Sequence, residues 1–556
     1  MTMKRALLGI GAVAVALGVA GCSTAVANNS STSSATANTG AASTTTSNSV
    51  LTIGGAIQGS YTSKNFNPFV STSIDTKGLI YEPLFYVDMV NNKTWSLLGE
   101  KYAWSKGSTV LTVQLRHGVK WSDGKPFTAN DVAFSFNIIK KYPAADQNGV
   151  WGILKSVQVV NPYTVRFTLQ RPDVPDAVHI LEQPIVPQHI WSKVKGDVTK
   201  TLNSNPVGTG PYVLGQFSPQ AVFFRANPNY WGGKPAVSEV KVPVYSTNEV
   251  GIMAIEQGEV DWGGTPIPGI QKQFVSRDPA HNHYWYPTTS NVLLYTNLSD
   301  PTLKDLAVRK AISAAINREQ LSMLAENGFE PVATPTGLLS SQKSFQDPSL
   351  PKSDNALTFS PSQAEKDLTA DGYKKDGSGF FAKDGKEINL TITTVAGWTD
   401  YDQIASMIAQ NLKSVGINAS VQEGQYNSVS SELSAHKYQL AVLFSNSGPG
   451  PYFFYDGLLN PSSSMDYEGY QNSSTTALLQ QYAAATTMAG QKKIAYKLES
   501  IVANDLPSIP LLQAASWYEY NTTRFTGWPS QTNPYADPMP GGMDEGIILT
   551  HLKPVK

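Results

Sequence analysis

Leu115-Arg116-His117-Gly118-Val119-Lys120-Trp121-Ser122-Asp123-Gly124-Lys125-Pro126-Phe127-Thr128-Ala129-Asn130-Asp131-Val132 is the stretch whose reading decides the fold. Leu111-Thr112-Val113-Gln114-Leu115, which leads into it, alternates apolar and polar residues and predicts a half-buried strand. Ser122 to Pro126 predicts a turn: Asp123 can accept from nearby backbone, Gly124 takes positive φ, and Pro126 fixes the exit. Thr128 with Asp131 three residues on makes a capping box, so a helix should start near Ala129. Val132, Phe136 and Ile139 supply its apolar stripe. No side chain here is chemically reactive; the segment reads as a rigid strand–turn–helix scaffold.

The 556 residues exceed what one core holds, so two or three domains are expected. Lysine plus arginine number 42 against 43 acidic residues, and this lack of a basic surplus argues against a nucleic-acid binder. One cysteine, Cys22, excludes an intramolecular disulfide and any cysteine-based zinc or iron–sulfur site. The histidines show no HExxH spacing, and His281 with His283 reads as a polar loop, so neither a metal nor a cofactor is expected. The abundant Trp, Tyr and Phe suit a ligand pocket as well as a core.

Towards the N-terminus, Lys4 and Arg5 precede an apolar run from Ala6 to Val19, the pattern of an export signal. That run is shorter than the roughly 20 residues a membrane span needs. It ends in Val19-Ala20-Gly21-Cys22, which resembles a bacterial lipobox and implies cleavage before Cys22 and lipidation of it. Residues 1–22 are thus read as a lipoprotein signal peptide. Residues 23–49, rich in Ser, Thr and Ala, cannot bury enough apolar surface to order themselves and read as a flexible linker.

Further on, Ser156–Val160 and Tyr163–Leu169 alternate around Asn161-Pro162 as a hairpin. Gly208-Thr209-Gly210 invites a phosphate-loop reading, but no Lys-Ser/Thr follows, so a tight re-entry turn is expected. Glu259 and Asp261 alternate onto one strand face without a partner acid or base and read as structural or solvated. From Asp305, an N-cap, to Leu324, the apolar spacing of Val308, Ile312, Ala315 and Ile316 predicts one helix. Ile388–Thr394, a loop at Gly397–Tyr401, a helix striped by Ile404, Ile408 and Leu412, and strand Ile417–Val421 form an α/β unit.

The segment at 111–132 closely resembles the signature of the family 5 extracellular solute-binding proteins, the binding subunits of peptide-type ABC importers. Phe66-Asn67-Pro68-Phe69, Tyr81-Glu82-Pro83-Leu84-Phe85, Asn205–Tyr212, Asn227–Pro235, Val308-Arg309-Lys310-Ala311-Ile312 and Asp505–Leu512 are similar to that family in the same order, from about residue 50 to 530. The resemblance implies an α/β, two-lobed periplasmic-binding-protein-like clam with an extra inserted domain (class II, large subtype). Lobe one would comprise 50–79, 206–290 and 516–556; the extra domain 80–205; lobe two 291–515. It implies an exported monomer, lipid-anchored to the outer face of the cell membrane or periplasmic, that binds solute between its lobes, performs no catalysis, and delivers to membrane permease subunits.

Peptide-binding members place an Asp after a late lobe-two strand to hold the ligand's amino group. The corresponding Ser445-Asn446-Ser447-Gly448-Pro449-Gly450-Pro451-Tyr452 has none, and neutral amides bind an ammonium more weakly. This segment and Gly397-Trp398-Thr399-Asp400 look more like a subgroup associated with oligosaccharides. Two ligand classes therefore stand: a short oligopeptide, favoured by the family, and a cello- or xylo-oligosaccharide. Candidate ligand contacts are Trp398, Asn446, Tyr452, Trp285 and Trp517, with Tyr61, Asn65 and Asn67 from the N-terminal segment. An exported hydrolase is the remote alternative, since no Gly-x-Ser-x-Gly occurs; a binder working without a permease is a third class.

Overall fold

The computed structural model describes residues 50–555, apart from 55–60, 71–72, 75, 351–356 and 446. Cys22, the signal peptide and the linker lie outside the described residues, as does Asn446. Three sheets organise the α/β fold. One runs Val50–Thr52, Glu239–Pro243, Ala221–Ala226, Tyr212–Phe217, with the first pair parallel. An antiparallel sheet runs Gly99–Ser105, Val110–Leu115, Thr164–Leu169, Leu154–Asn161. The third, mixed sheet has the order Asn418–Gly424, Asn389–Val395, Leu440–Phe444, Thr288–Thr296, Ser508–Ala515.

The deciding stretch folds as its local chemistry dictates. Strand Val110–Leu115 alternates its burial, Gly124 has φ +86°, and the Lys125 amide donates to Asp123 Oδ1 at 3.2 Å. Helix Ala129–Lys141 starts with the Thr128 amide donating to Asp131 Oδ2 at 2.9 Å. Its buried Val132, Phe136 and Ile139 join one continuous core that also holds Leu51, Phe66 and Trp262. The antiparallel sheet and the first sheet thus share an interior.

The mixed sheet is buried on both faces, so its central strands read as unbroken apolar runs. Val292, Leu294, Leu440 and Val442 enter one core with Ile312 and Ile404. Leu293, Tyr295, Ala441 and Leu443 enter another with Tyr455 and Leu498. Period-two geometry alone makes this division. Two segments run side by side here: the Trp285 amide donates to Tyr518 O at 3.1 Å and the Ser516 amide to Pro287 O at 2.8 Å.

Three expectations are revised. The helix foreseen over 305–324 is two, Leu306–Ala315 and Arg318–Ala325. Ile316 is extended (φ −87°, ψ 121°) and Asn317 caps the second helix, its side chain accepting from the Gln320 amide. Apolar spacing survives such a break, so it could not signal it. The loop expected through Tyr401 ends earlier: helix Thr399–Ser414 begins directly after Trp398. Glu259 and Asp261 do not share a face; Glu259 is exposed, while Asp261 is buried and paired with Arg524. That pair also ties down the first strand, Asp261 accepting from the Thr52 amide and Arg524 donating to Val50 O. Among the described residues, no helix is long and apolar enough to cross a membrane.

Candidate functional site

A cavity of about 810 Å³ lies between the lobes. Ile252, Pro266, Ile267, Trp517 and Met539 line it from one side; Trp398, Tyr401 and Phe444 line it from the other. Trp398 stands where helix Thr399–Ser414 begins. Its ring is stacked on Tyr426 at 5.4 Å and Phe444 at 6.2 Å and meets the edge of Tyr401 at 5.5 Å. Trp517, just past strand Ser508–Ala515, packs edge-on to Tyr286 at 4.7 Å and to Phe329 at 6.4 Å. Both indoles are half-buried and held by ring neighbours, so little entropy remains to be lost when a ligand covers their free surfaces.

The acidic wall is made by the turn after helix Arg318–Ala325. Asn327 (φ +52°) and Gly328 (φ +77°) reverse the chain, and the Gly328 amide closes onto Ser322 O at 2.8 Å. This sends Phe329 against Tyr284 and Tyr286 and puts Glu326 and Glu330 on the cavity wall. Glu330 Oε1 accepts from the Ala515 amide at 2.9 Å. Asp400, in the first turn of helix Thr399–Ser414, lines the same wall. Burial and the Asp400 charge push the Glu326 carboxyl up to about 8; burial, Glu326 and Asp400 raise Glu330 well above the usual range. Asp400 is raised by burial. No Lys, Arg or His lines the cavity among the described residues.

Of the residues nominated from the sequence, Trp398 and Trp517 meet here. The others, apart from Asn446, which lies outside the described residues, are placed elsewhere. Tyr452 opens helix Tyr452–Leu459, is buried against Tyr482 at 5.4 Å, and lines a separate cavity of about 340 Å³ with Arg171 and Asp456. The Asn67 amide holds its own turn, donating to Val198 O and Thr201 O and accepting from the Phe69 amide. Asn65 Oδ1 accepts from Asn67 and Asn203 amides. Tyr61 is buried beside Phe217. Trp285 sits beside Tyr518, packed against the lobe-one core. Ser447 and Gly448, flanking position 446, line a small hollow that shares Ser290 with the main cavity. Glu326, Glu330 and Phe329 escaped sequence reading. Their one signal is the pair of acids bracketing Asn327-Gly328, which marks a turn and says nothing of burial.

Buried carboxyls elsewhere set a pH dependence. Burial raises Glu82 from the usual 4.5 to about 7, opposed by hydrogen bonds donated by Trp231 Nε1 and Tyr230 Oη; Glu519 is likewise at about 7. A group whose folded pKa is raised holds its proton more tightly when folded. Its stabilisation is complete below the unfolded pKa and is lost as pH rises through the folded one. Thermal unfolding should therefore occur at lower temperature near pH 8 than near pH 5. Glu82 alone contributes about 3 kcal/mol to that difference, at roughly 1.4 kcal/mol per unit of pKa. Circular-dichroism melts of wild type and Glu82→Gln check this; a wild-type melting temperature that rises with pH would contradict it.

Residues 96–466 match the family model described as bacterial extracellular solute-binding proteins, family 5 Middle. The chain is similar to oligopeptide-binding protein AppA of Bacillus subtilis (strain 168): 24% identity over 464 residues, covering 80% of this chain and 82% of AppA. With the dipeptide-binding protein of Escherichia coli (strain K12) it shares 26% over 305 residues, 49% of this chain and 57% of that one. The crystal structure of the periplasmic oligopeptide-binding protein of an oligopeptide ABC transporter from Thermotoga maritima superposes with TM-score 0.84 at 29% identity, covering 92% of this chain and 100% of that one. The mannohexaose-bound form of that Thermotoga protein gives 0.77 at 28%, covering 91% and 99%.

Proposed function

Since this chain belongs to the bacterial extracellular solute-binding proteins of family 5, we propose that it captures a short oligopeptide between its lobes and hands it to the membrane permease of an ABC importer. The observation that carries this reading is the interlobe cavity. Its volume of about 810 Å³ falls in the range of roughly 300–1,000 Å³ typical of small-ligand sites, and its apolar walls carry a few polar groups to orient a ligand. The oligopeptide- and dipeptide-binding relatives support the peptide class. We further propose that Cys22 carries the lipid anchor, that the domains divide at the boundaries expected from the sequence, and that Trp398 and Trp517 touch the ligand. Asn446 remains a candidate contact through its neighbours at the adjoining hollow.

A second reading, an oligosaccharide, draws on one specific observation: two tryptophans face the cavity, and flat indoles suit sugar rings. The mannohexaose bound to the Thermotoga relative supports it.

Thermal-shift measurement of the purified protein against mixed short peptides, mannohexaose and cello-oligosaccharides separates the two. A ligand at 100 times its Kd stabilises the native state by about 2.7 kcal/mol. A shift with peptides alone upholds the first reading; a shift with sugars alone replaces it with the second; no shift with either removes both. For whichever ligand binds, Trp398→Ala should weaken affinity roughly 30-fold, about 2 kcal/mol for a buried aromatic contact. Titration calorimetry measures this, and an unchanged Kd would exclude Trp398 from the site.

A further inference from the structure

We propose that Glu326 and Glu330 are the anchor for a cationic group of the ligand, an ammonium or guanidinium, at the acidic end of the interlobe cavity. The inference rests on the peptide reading above and names the charge such a peptide must carry.

Glu326 and Glu330 are only 2% and 3% exposed, yet both line the cavity. Glu326 Oε1 and Glu330 Oε2 accept no hydrogen bond. A buried carboxylate lacking partners is costly, and buried acids are ordinarily paired. Among the described residues, none supplies the pairing group. The groups facing them are Asp400 and Tyr401 from helix Thr399–Ser414, with Asp402 adding its charge beside Asp400; Glu249 from helix Asn248–Glu256 lines the same cavity. All are acidic or neutral.

A cation brought by the ligand would meet acceptors whose desolvation the fold has already imposed. Its hydrogen bonds to them would be charge-assisted. The cation is organic. Among the described residues no three His, Cys, Asp or Glu side chains are grouped closely enough to hold a metal ion. An ammonium has three donors and a guanidinium five, so either can reach carboxylates set further apart. Trp398 and Tyr401 line the same cavity and add aromatic surface, which favours cations. The segment Ser445–Tyr452 contributes no acid to compete for this charge.

The anchor also predicts proton release. Burial and the Asp400 charge raise the Glu326 carboxyl above its usual range, which favours its protonated form before the ligand arrives. An incoming cation favours the ionised form and expels the proton.

The test uses the purified full chain and three random pentapeptide libraries, with retained peptides read by native mass spectrometry. The first has free amino termini and no Lys or Arg; the second is the same library N-acetylated; the third is N-acetylated with one Lys per peptide. Retention of the first or third over the second by at least about tenfold is expected, about 1.4 kcal/mol. The first alone identifies the α-ammonium and the third alone the side chain. Equal retention of the acetylated, Lys-free library overturns the anchor while leaving peptide capture standing. Retention of mannohexaose with no peptide library retained overturns both. Glu330→Gln and Glu326→Gln should remove the preference; Gln at 330 can still accept from the Ala515 amide, and circular dichroism confirms folding. Calorimetry near pH 7 in two buffers of different ionisation heat should show proton release by wild type and its loss in Glu326→Gln. Equal heats for wild type in both buffers would contradict the anchor.

Discussion

Arg318→Ala is expected to lower the free energy of unfolding by about 4 kcal/mol, combining a side-chain-sized cavity with stranded acceptors. The guanidinium is buried and, among the described residues, pairs with no carboxylate. Nε donates to Pro510 O at 2.8 Å, Nη1 to Ser313 O at 2.9 Å and Ile316 O at 3.4 Å, and Nη2 to Ser313 Oγ at 2.8 Å. These acceptors lie at the break between the two helices and on the edge strand of the mixed sheet. One side chain therefore closes a helix end and pins it to the sheet. Burial lowers the Arg318 pKa to about 9, which leaves it charged at neutral pH. Arg318→Lys should recover only part of the loss, because an ammonium cannot reproduce the planar fork. Denaturant titration of the two variants measures both effects. An alanine variant within 1 kcal/mol of wild type, taken as roughly the spread of an ordinary surface substitution, would show that the guanidinium does not organise this junction.

Gly208→Ala should cost about 3 kcal/mol, the upper range for overpacking, because the obstacle is backbone. A Cβ at 208 would lie 1.8 Å from the Ile80 carbonyl oxygen. Gly210 is similarly tight, its would-be Cβ 2.3 Å from Leu79 O. The loop is held there by hydrogen bonds: the Gly210 amide donates to Ile80 O at 2.9 Å, and the Ser122 amide donates to Gly208 O at 2.9 Å. The turn of the strand–turn–helix segment is thereby fastened to the segment around Ile80. Glycine at 208 is required for close approach of two backbones. Gly118→Ala makes the comparison: its Cβ would meet nothing within 4 Å, so its penalty comes from φ +75° alone. It should cost about 1 kcal/mol. Equal losses at 118 and 208 would refute the close-approach account.

The segments legible in the sequence are those whose structure follows from neighbours in the chain. Asp123, Gly124, Thr128 and Asp131 carry their turn and cap within ten residues, and the structure repeats them. The family resemblance supplied the two-lobed order of the pieces. The split at Ile316 was hidden because an extended residue leaves the apolar spacing of Val308 and Ile312 untouched. Trp398 and Trp517 stood out as aromatic residues beside loops. Nothing local separated them from Tyr452, which helix packing buries elsewhere.

By itself, then, the sequence determined the local devices, the α/β class and the family, because caps, turns and periodicity are interactions over a few residues. Only the tertiary structure decided which side chains share the cavity. Glu326 and Glu330 look like solvated acids flanking an Asn-Gly turn. They become buried only because Ala515 and Asp400, distant in sequence, close around them. Desolvation depends on everything that surrounds a group, and that surrounding is assembled by the fold.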